Sequence, residues 1–168
     1  TDKNRALQCV AKTIWRRTVK LNTKISSIAL LITCLLVPNT LQAGQGEVNI
    51  RNIVVSSGNI MIAVTPETGA ADFPEETAAI VKFQIAAKPG EMRHKFELPA
   101  GRYAISVFHD VDSNGRLKTG IFGIPLEPVG FSKDPNWYFG PPKFAQAAFD
   151  VTAGDFQLTV TLSEPTAD

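Results

Sequence analysis

The side chains best suited to chemistry lie in one short turn. Asp110, Asp112 and Asn114 alternate along the chain, and Gly115 follows them. Oxygen ligands at alternate positions before a glycine suit a hard cation such as Ca²⁺, because the side chains can converge while the glycine allows a sharp bend. The sequence therefore predicts a candidate calcium site formed by Asp110, Asp112 and Asn114, and no other cofactor.

Two further observations keep the interpretation of this turn open. Counted from Asp110, the ninth position is Lys118 and the twelfth is Ile121 rather than a bidentate Glu, which excludes an EF-hand. A partial calcium site could be completed by Glu127. The alternative is an ordinary structural turn, because Asn-Gly favours hairpin turns and neighbouring Asp side chains cap backbone donors without a metal.

His109 lies directly before the acidic turn and suggests an acid–base alternative, a hydrolase or isomerase that uses His109 with Asp110 or Asp112. Adjacent residues of a regular strand point to opposite faces, so His109 and Asp110 would not form a dyad. We expect His109 to be a half-buried structural residue at a strand end, hydrogen-bonded to the following loop. Since the sequence also contains no Gly-x-Ser-x-Gly, His-Glu-x-x-His or phosphate-loop motif, we predict a non-enzymatic protein.

A long segment, residues 117–144, contains six aromatic residues, five prolines and four glycines. So many aromatic residues are not the composition of disorder, and a connection of this length in a compact domain is usually functional. One interpretation is a recognition loop that binds a ligand through flat aromatic faces. The other is a self-packed cap over one end of the fold. The candidate ligand-binding residues are Phe122, Phe131, Trp137, Tyr138 and Phe139.

The elements that would position these residues are short strands separated by turn residues. In the first of them we expect Val48, Ile50, Asn52 and Val54 to share one face. The predicted strands are residues 48–54, 60–64, 79–86, 91–98, 102–109, 145–151 and 156–162. Seven strands without a convincing amphipathic helix predict an all-β, two-sheet sandwich of the transthyretin or immunoglobulin type, with residues 44–168 as a single domain.

Residues 1–43 have the pattern of a cleavable secretory signal. A basic stretch is followed by the apolar run 25–37 and then by Leu41-Gln42-Ala43. The run is shorter than the roughly 20 residues that a membrane span needs. Arg16-Arg17 as a twin-arginine signal and Cys34 as a lipid-attachment site are weaker alternatives. The expected location is the periplasm or the cell exterior.

The composition of the remaining part excludes several classes of function. Residues 1–43 contain seven of the 17 basic and one of the 16 acidic residues, which leaves ten basic and fifteen acidic residues after them. This acidic balance argues against nucleic-acid partners and against anionic membrane surfaces, because both need clustered Lys and Arg. Both cysteines, Cys9 and Cys34, lie in residues 1–43, so the predicted domain has no disulfide and no thiolate nucleophile.

Several motifs resemble a known family. They are Leu98-Pro99-x-Gly101-x-Tyr103-Ala104-x-x-Val107-Phe108-His109-Asp110, Asn114-Gly115-x-Leu117, Phe122-Gly123-Ile124-Pro125-x-Glu127-Pro128-x-Gly130-Phe131-Ser132 and Phe139-Gly140-Pro141-Pro142-x-Phe144. Over residues 47–162 the chain resembles the exported bacterial proteins grouped as domain of unknown function 2141. The resemblance implies a β-sandwich and an envelope or secreted location, and it implies no established activity.

These observations lead to one expected function and two alternatives. We expect an exported, non-enzymatic β-sandwich module that binds an unknown envelope ligand or protein, or takes part in assembly, through residues 117–144. The alternatives are the hydrolase or isomerase based on His109 and a calcium-stabilised structural protein of the envelope.

Overall fold

The computed structural model describes residues 43–164 except 138, 139 and 153, and it describes the backbone but not the side chain of Phe122. These residues belong to one compact unit, Leu41–Asp168. The strands are β1 (Ala43–Ile53), β2 (Asn59–Pro66), β3 (Val81–Ala86), β4 (Gly90–Pro99), β5 (Gly101–Asp110), β6 (Val129–Phe131), β7 (Phe149–Val151) and β8 (Phe156–Thr161). One short helix, α1, spans Phe144–Ala147, and 3₁₀ turns span Glu67–Gly69, Glu76–Ala78 and Ile121–Gly123.

The strands form two sheets, as expected for a sandwich. The three-stranded sheet has the order β4-β1-β8, and the five-stranded sheet has the order β3-β2-β5-β6 with β7 also paired to β5. β1 and β8 run parallel, and the other pairs are antiparallel. The predicted all-β, two-sheet sandwich is therefore confirmed.

The main hydrophobic core lies between the sheets and follows from strict alternation along the strands. In β5, Ile105, Val107 and His109 point into this core, where they face Val64, Ile62 and Ile60 of β2 across the sheet. Val48 and Ile50 of β1 are completely buried and contribute from the other sheet. Phe156, Leu158, Val160 and Leu162 also face this core, as the alternation in the last predicted strand indicated.

A second, smaller core covers the outer face of the five-stranded sheet. It contains Phe73 from the connection after β2, Phe131 from β6 and Phe144 from α1. Phe73 meets Phe131 and Phe144 edge to face, with ring centroids 5.9 and 6.0 Å apart. Because this sheet is buried on both faces, β2 carries a continuous apolar run, Ile60-Met61-Ile62-Ala63-Val64, rather than an alternating pattern.

The structure contains one strand more than the sequence predicted within the described residues. β6 lies inside the segment that was assigned to the long loop, where Gly130 breaks the apolar pattern. An added Cβ on Gly130 would lie 2.7 Å from the carbonyl oxygen of Thr161 in β8. The glycine therefore lets β6 approach the other sheet closely, and Ser163 donates a hydrogen bond to Val129 there (2.8 Å).

The predicted strand 145–151 is wrong in its first half. Residues Phe144–Ala147 form α1, and only Phe149–Val151 is extended. Ala145 and Ala147 favour a helix, and the side chain of Gln146 accepts a hydrogen bond from the backbone N–H of Lys143 (2.7 Å) at the start of the helix.

The predicted face of β1 is also wrong beyond Ile50. The register with β4 shifts between Ile50 and Ile53, so Ile53 enters the core in place of Asn52. Asn52 has φ +63°, and its side chain donates to the carbonyl oxygen of Leu162 at 2.7 Å. Val54, expected on the same face as Val48 and Ile50, is 58% exposed. A bulge of this kind moves the following side chains to the opposite face.

The predicted signal segment lies outside the described residues, apart from Ala43, which begins β1 and is paired with Pro99. Among residues 43–164, with 138, 139 and 153 left out, no helix has the length and apolar character needed to cross a bilayer.

Candidate functional site

The acidic turn is built directly onto the end of β5. Asp110 is the last residue of the strand and is fully buried. Its two carboxylate oxygens accept hydrogen bonds from the backbone N–H groups of Asn114 (3.0 Å) and Gly115 (2.9 Å). Asp112 also accepts from the Asn114 N–H at 3.1 Å. Ser113 and Gly115 have positive φ values of 60° and 76°, so the chain turns tightly around the Asp110 carboxylate.

Glu127 joins this turn from the other end of the connection. It is 4% exposed, and its two oxygens accept hydrogen bonds from the N–H groups of Val111 (2.8 Å) and Lys118 (2.9 Å). The N–H of His109 donates to the carbonyl oxygen of Pro128 (2.9 Å) next to it. Glu127 therefore connects the start of the turn to the segment that follows it.

The structure brings Asp110 and Asp112, two of the three predicted calcium ligands, close together, and it places Glu127 rather than Asn114 beside them. Carboxylate oxygens of Asp110, Asp112 and Glu127 lie within 4.8 Å of one another. Asn114 instead uses its side-chain oxygen to accept a hydrogen bond from the Arg116 N–H (2.7 Å). Among the described residues, no Lys or Arg lies within 4.0 Å of these three carboxylates. A divalent cation suits such an oxygen set, although backbone donors already occupy these oxygens.

His109 lies on the opposite face of β5 from Asp110. It is fully buried rather than half-buried, in the main core, and its Nε2 lies 2.7 Å from the carbonyl oxygen of Ser57. Because a carbonyl oxygen only accepts, Nε2 carries the proton, and Nδ1 has no partner among the described residues. The expected hydrogen bond exists, but it holds the connection before β2 rather than the loop after β5. The structure does not bring His109 and Asp110 together as an acid–base pair.

The aromatic residues of 117–144 have different environments. Phe131 is 6% exposed in the second core, and half-buried Trp137 meets it edge to face with centroids 5.9 Å apart. The side chain of Phe122 and all of Tyr138 and Phe139 lie outside the described residues. For Phe131 and Trp137 the arrangement is that of a self-packed cap.

A groove runs beside this cap on the outer face of the five-stranded sheet. Its volume is about 160 Å³. Its floor is mostly apolar, and its rim contains Glu75, Glu76 and Lys82, of which the last two form an ion pair at 3.0 Å. The lining side chains on that face are Met61, Ala63, Pro74, Ser106, Phe108, Leu117, Val129 and Phe131. Leu117, Val129 and Phe131 belong to the segment that the sequence singled out.

Sequence reasoning missed the side chains that fasten this segment to the sheet. The hydroxyl of buried Ser132 donates to the carbonyl oxygen of Ala147 (2.6 Å) and accepts from the Ile105 N–H (2.9 Å). Asp134 accepts from both the N–H and the hydroxyl of Thr161 (2.8 and 2.9 Å). No local pattern identifies such contacts. The continuous apolar run of β2, however, indicates a strand that is buried on both faces, and therefore a layer of residues over the outer face of the sheet.

A partly buried histidine lies on the side of the sandwich between β3 and β4. His94 of β4 packs against Phe83 of β3 with ring centroids 4.4 Å apart, and its Nε2 has no hydrogen-bond partner among the described residues. Burial lowers the pKa of His94 from its usual value near 6.5. The histidine is therefore a structural member of an aromatic cluster with Phe83 and Phe96.

The comparison with known proteins agrees with the sequence motifs. No curated protein and no solved structure matches the chain. A family model described as an uncharacterised protein conserved in bacteria, DUF2141, matches residues 48–159. The match covers more than half of the chain and nearly all of both sheets, and the chain therefore belongs to the DUF2141 family of conserved bacterial proteins.

Proposed function

We propose that the protein is an exported, non-enzymatic binding or assembly module of the bacterial cell envelope. The observation that carries the binding part is the groove beside residues 117–144. An apolar cavity of about 150 Å³ is large enough to bind benzene, and the groove has a similar volume of about 160 Å³. The ligand chemistry that fits is a ring or a branched aliphatic group, either on a small molecule or on a protein partner.

The arrangement of polar groups around the groove supports this ligand class. Ser106 is half-buried on its floor, while the Lys82–Glu76 ion pair lies at its rim. Sites for small molecules are commonly apolar concavities with a few polar groups that orient the ligand. The non-enzymatic part of the proposal is supported by the separation of His109 and Asp110 onto opposite faces of β5.

A methyl NMR titration of residues 41–168 with indole tests the binding proposal. We expect saturable shifts of the Met61, Leu117 and Val129 methyl groups, which line the groove. Ala63→Phe and Ser106→Leu should each fill the groove and abolish these shifts. Ala86→Phe is the control, because Ala86 is exposed on β3 and does not line the groove.

The proposal fails if indole produces no saturable shift, or if both filling variants leave the shifts unchanged while retaining the native spectrum elsewhere. Fractionation of cells that produce the full chain tests the location independently. We expect the mature protein in the periplasm or medium, and retention of uncleaved protein in the cytoplasm would contradict export.

A calcium-stabilised structural protein is the second candidate. Two buried carboxylates, Asp110 and Glu127, lie close to Asp112 without a basic partner within 4.0 Å among the described residues. A cation would offset the repulsion between them. A thermal melt after EDTA treatment, with and without millimolar Ca²⁺, should then show a rise of several degrees that Asp112→Ala abolishes. An unchanged midpoint would mean that the turn is an ordinary hydrogen-bonded turn that is not stabilised by calcium.

A further inference from the structure

The exposed apolar side chains are concentrated at one end of the sandwich. Within the described part of the chain, the exposed large apolar residues are Val54, Val55, Ile80, Ile121, Ile124 and Leu126. All except Ile80 lie in connections that leave the same end of the strands, because Asn59 at the start of β2 is paired with Asp110 at the end of β5. We call this end, with the connections 54–58, 87–89 and 111–128, the loop end.

Three of these side chains lie on one small hairpin, residues 118–126. The N–H of Leu126 donates to the carbonyl oxygen of Lys118 (2.8 Å), and the N–H of Gly120 donates to the carbonyl oxygen of Ile124 (2.8 Å). The 3₁₀ turn Ile121–Gly123 forms its tip. Ile121 is 79% exposed, so backbone hydrogen bonds rather than burial of this side chain hold the tip in shape.

The base of the hairpin is fixed to the core of the molecule. Buried Glu127 accepts hydrogen bonds from Lys118, the first hairpin residue, and from Val111 directly after β5. The exposed tip is therefore presented from a fixed base. The packing within the protein gives no reason for apolar side chains at this tip, because Ile124 and Leu126 are also 42% and 46% exposed.

The exposed charged residues in the hairpin and directly before it are basic. Arg116 and Lys118 are the only charged residues between positions 116 and 126, and both are exposed. Lys118 is at the base of the hairpin, opposite Leu126, and Arg116 comes two residues before it. In the part of the chain that the structure describes, neither the Arg116 guanidinium nor the Lys118 ammonium has a carboxylate oxygen within 4.0 Å. Lys88 adds a third exposed cation to the loop end. The three connections of the loop end thus contain three exposed cations and one exposed acid, Asp112.

We propose that the hairpin 118–126 docks on the surface of an anionic lipid bilayer. The side chains of Ile121, Ile124 and Leu126 enter the boundary between headgroups and acyl chains. Arg116 and Lys118, just before and at the base of the hairpin, meet the lipid phosphates. An apolar face backed by Lys and Arg is the pattern of segments that lie at a membrane interface.

The form of the surface favours lipid over a protein partner. A stable protein interface buries about 800 Å² on each side with matching shapes. The hairpin instead presents separate apolar side chains on a narrow tip, and a lipid boundary adapts to such a shape. The net negative charge of the domain opposes this arrangement only weakly, because salt screens the repulsion between the membrane and charges that lie more than roughly 10 Å from it.

Flotation of residues 41–168 with lipid vesicles tests the proposal. This part is suitable because both cores lie within it, and it omits the basic, apolar residues 1–40. We expect binding to phosphatidylcholine vesicles that contain phosphatidylglycerol, and weaker binding at high salt or to phosphatidylcholine alone. The double variant Ile121→Ser/Ile124→Ser should weaken binding by about tenfold or more, and Arg116→Gln/Lys118→Gln by a similar factor.

Matched controls separate the hairpin from general surface effects. Ile80→Ser removes an apolar side chain outside the loop end whose exposure, 57%, lies between those of Ile121 and Ile124. Arg93→Gln/Lys95→Gln removes two charges from the outer face of β4. Both controls should bind as the unchanged protein does. The proposal is overturned by absence of vesicle binding, by equal losses in the controls, or by a dimer in solution that the tip variant dissociates without any vesicle binding. Unchanged melting midpoints confirm that each variant is folded.

Discussion

At the scale of single residues, the site depends on buried carboxylates that organise backbone. Asp110 and Glu127 each accept two backbone hydrogen bonds, and such bonds to ionised groups are stronger than neutral ones. A long connection can therefore leave β5 and return to β6 with its polar groups paired, although it contains few regular strand residues. The same residue types that suggested chemistry serve first as structural acceptors.

Replacement of Glu127 by Gln should destabilise the protein by about 1–3 kcal/mol. The amide NH₂ group cannot accept, so either the Val111 or the Lys118 N–H loses its partner. Urea unfolding measures the loss, and hydrogen exchange should accelerate at these two amides. Glu97→Gln, on the exposed side of β4, is the control and should change stability by less than about 0.5 kcal/mol. An equal effect of both variants would contradict the structural role of Glu127.

Acidification should destabilise the protein through His94. Burial lowers its pKa in the folded state below the usual value near 6.5, so the unfolded chain binds the proton first. Stability from this group is complete at neutral pH and decreases as the pH falls below the pKa of the unfolded state. The urea midpoint should thus fall between about pH 7 and pH 5, and His94→Phe should reduce this dependence. An identical pH dependence in the variant would disprove the assignment to His94.

At the scale of elements, β6 decides how the candidate site is assembled. This three-residue strand pairs with β5 and forms a bridge between Val129 and Ser163, two residues after the end of β8. It divides residues 111–148 into the hairpin-bearing half at the loop end and the aromatic half over the outer face. Gly130 makes this possible, because a side chain there would meet Thr161 and Val160.

Gly130→Ala should therefore cost about 1–3 kcal/mol of stability through overpacking against β8. Thermal or urea unfolding measures the effect. Gly120→Ala is the matched control in the same connection, because its added Cβ would meet only the flexible end of Leu126, at 3.3 Å. If Gly130→Ala were as stable as this control, β6 would not lie against β8 as closely as described.

At the scale of the whole molecule, the protein has three layers rather than two. The layers are the three-stranded sheet, the five-stranded sheet and a cover formed by Phe73, Trp137 and α1 on the outer face of the five-stranded sheet. One hydrophobic core lies between each pair of neighbouring layers. The middle sheet contributes to both cores, since Ile105 of β5 faces one and Ala104 faces the other. The groove lies on the outer face of the middle sheet and reaches the connection 111–128 of the loop end at Leu117, so the two proposed surfaces adjoin each other.

Because the two cores share β5, they should unfold together. Phe144→Ala removes a buried ring from the second core and should lower stability by about 3–5 kcal/mol. The urea midpoint should fall while the slope of the transition stays the same. Trp137→Ala, at a half-buried position of the same cover, should cost less. Two separate transitions in the Phe144 variant would mean that the cover folds independently of the sandwich.

The sequence by itself determined the fold class, most strand positions and the faces of β5 and β8, because period-two alternation depends only on local spacing. It also located the Asp110–Gly115 turn, and its motifs identified the family. Tertiary structure alone decided the features that depend on residues far apart in the chain. These are the bulge that buries Ile53, the pairing of β6, the position of Glu127 beside Asp110 and the burial of Phe131 against Phe73. Local patterns carry no information on such contacts, because the contacts form only when segments far apart in the chain pack against the same face of a sheet.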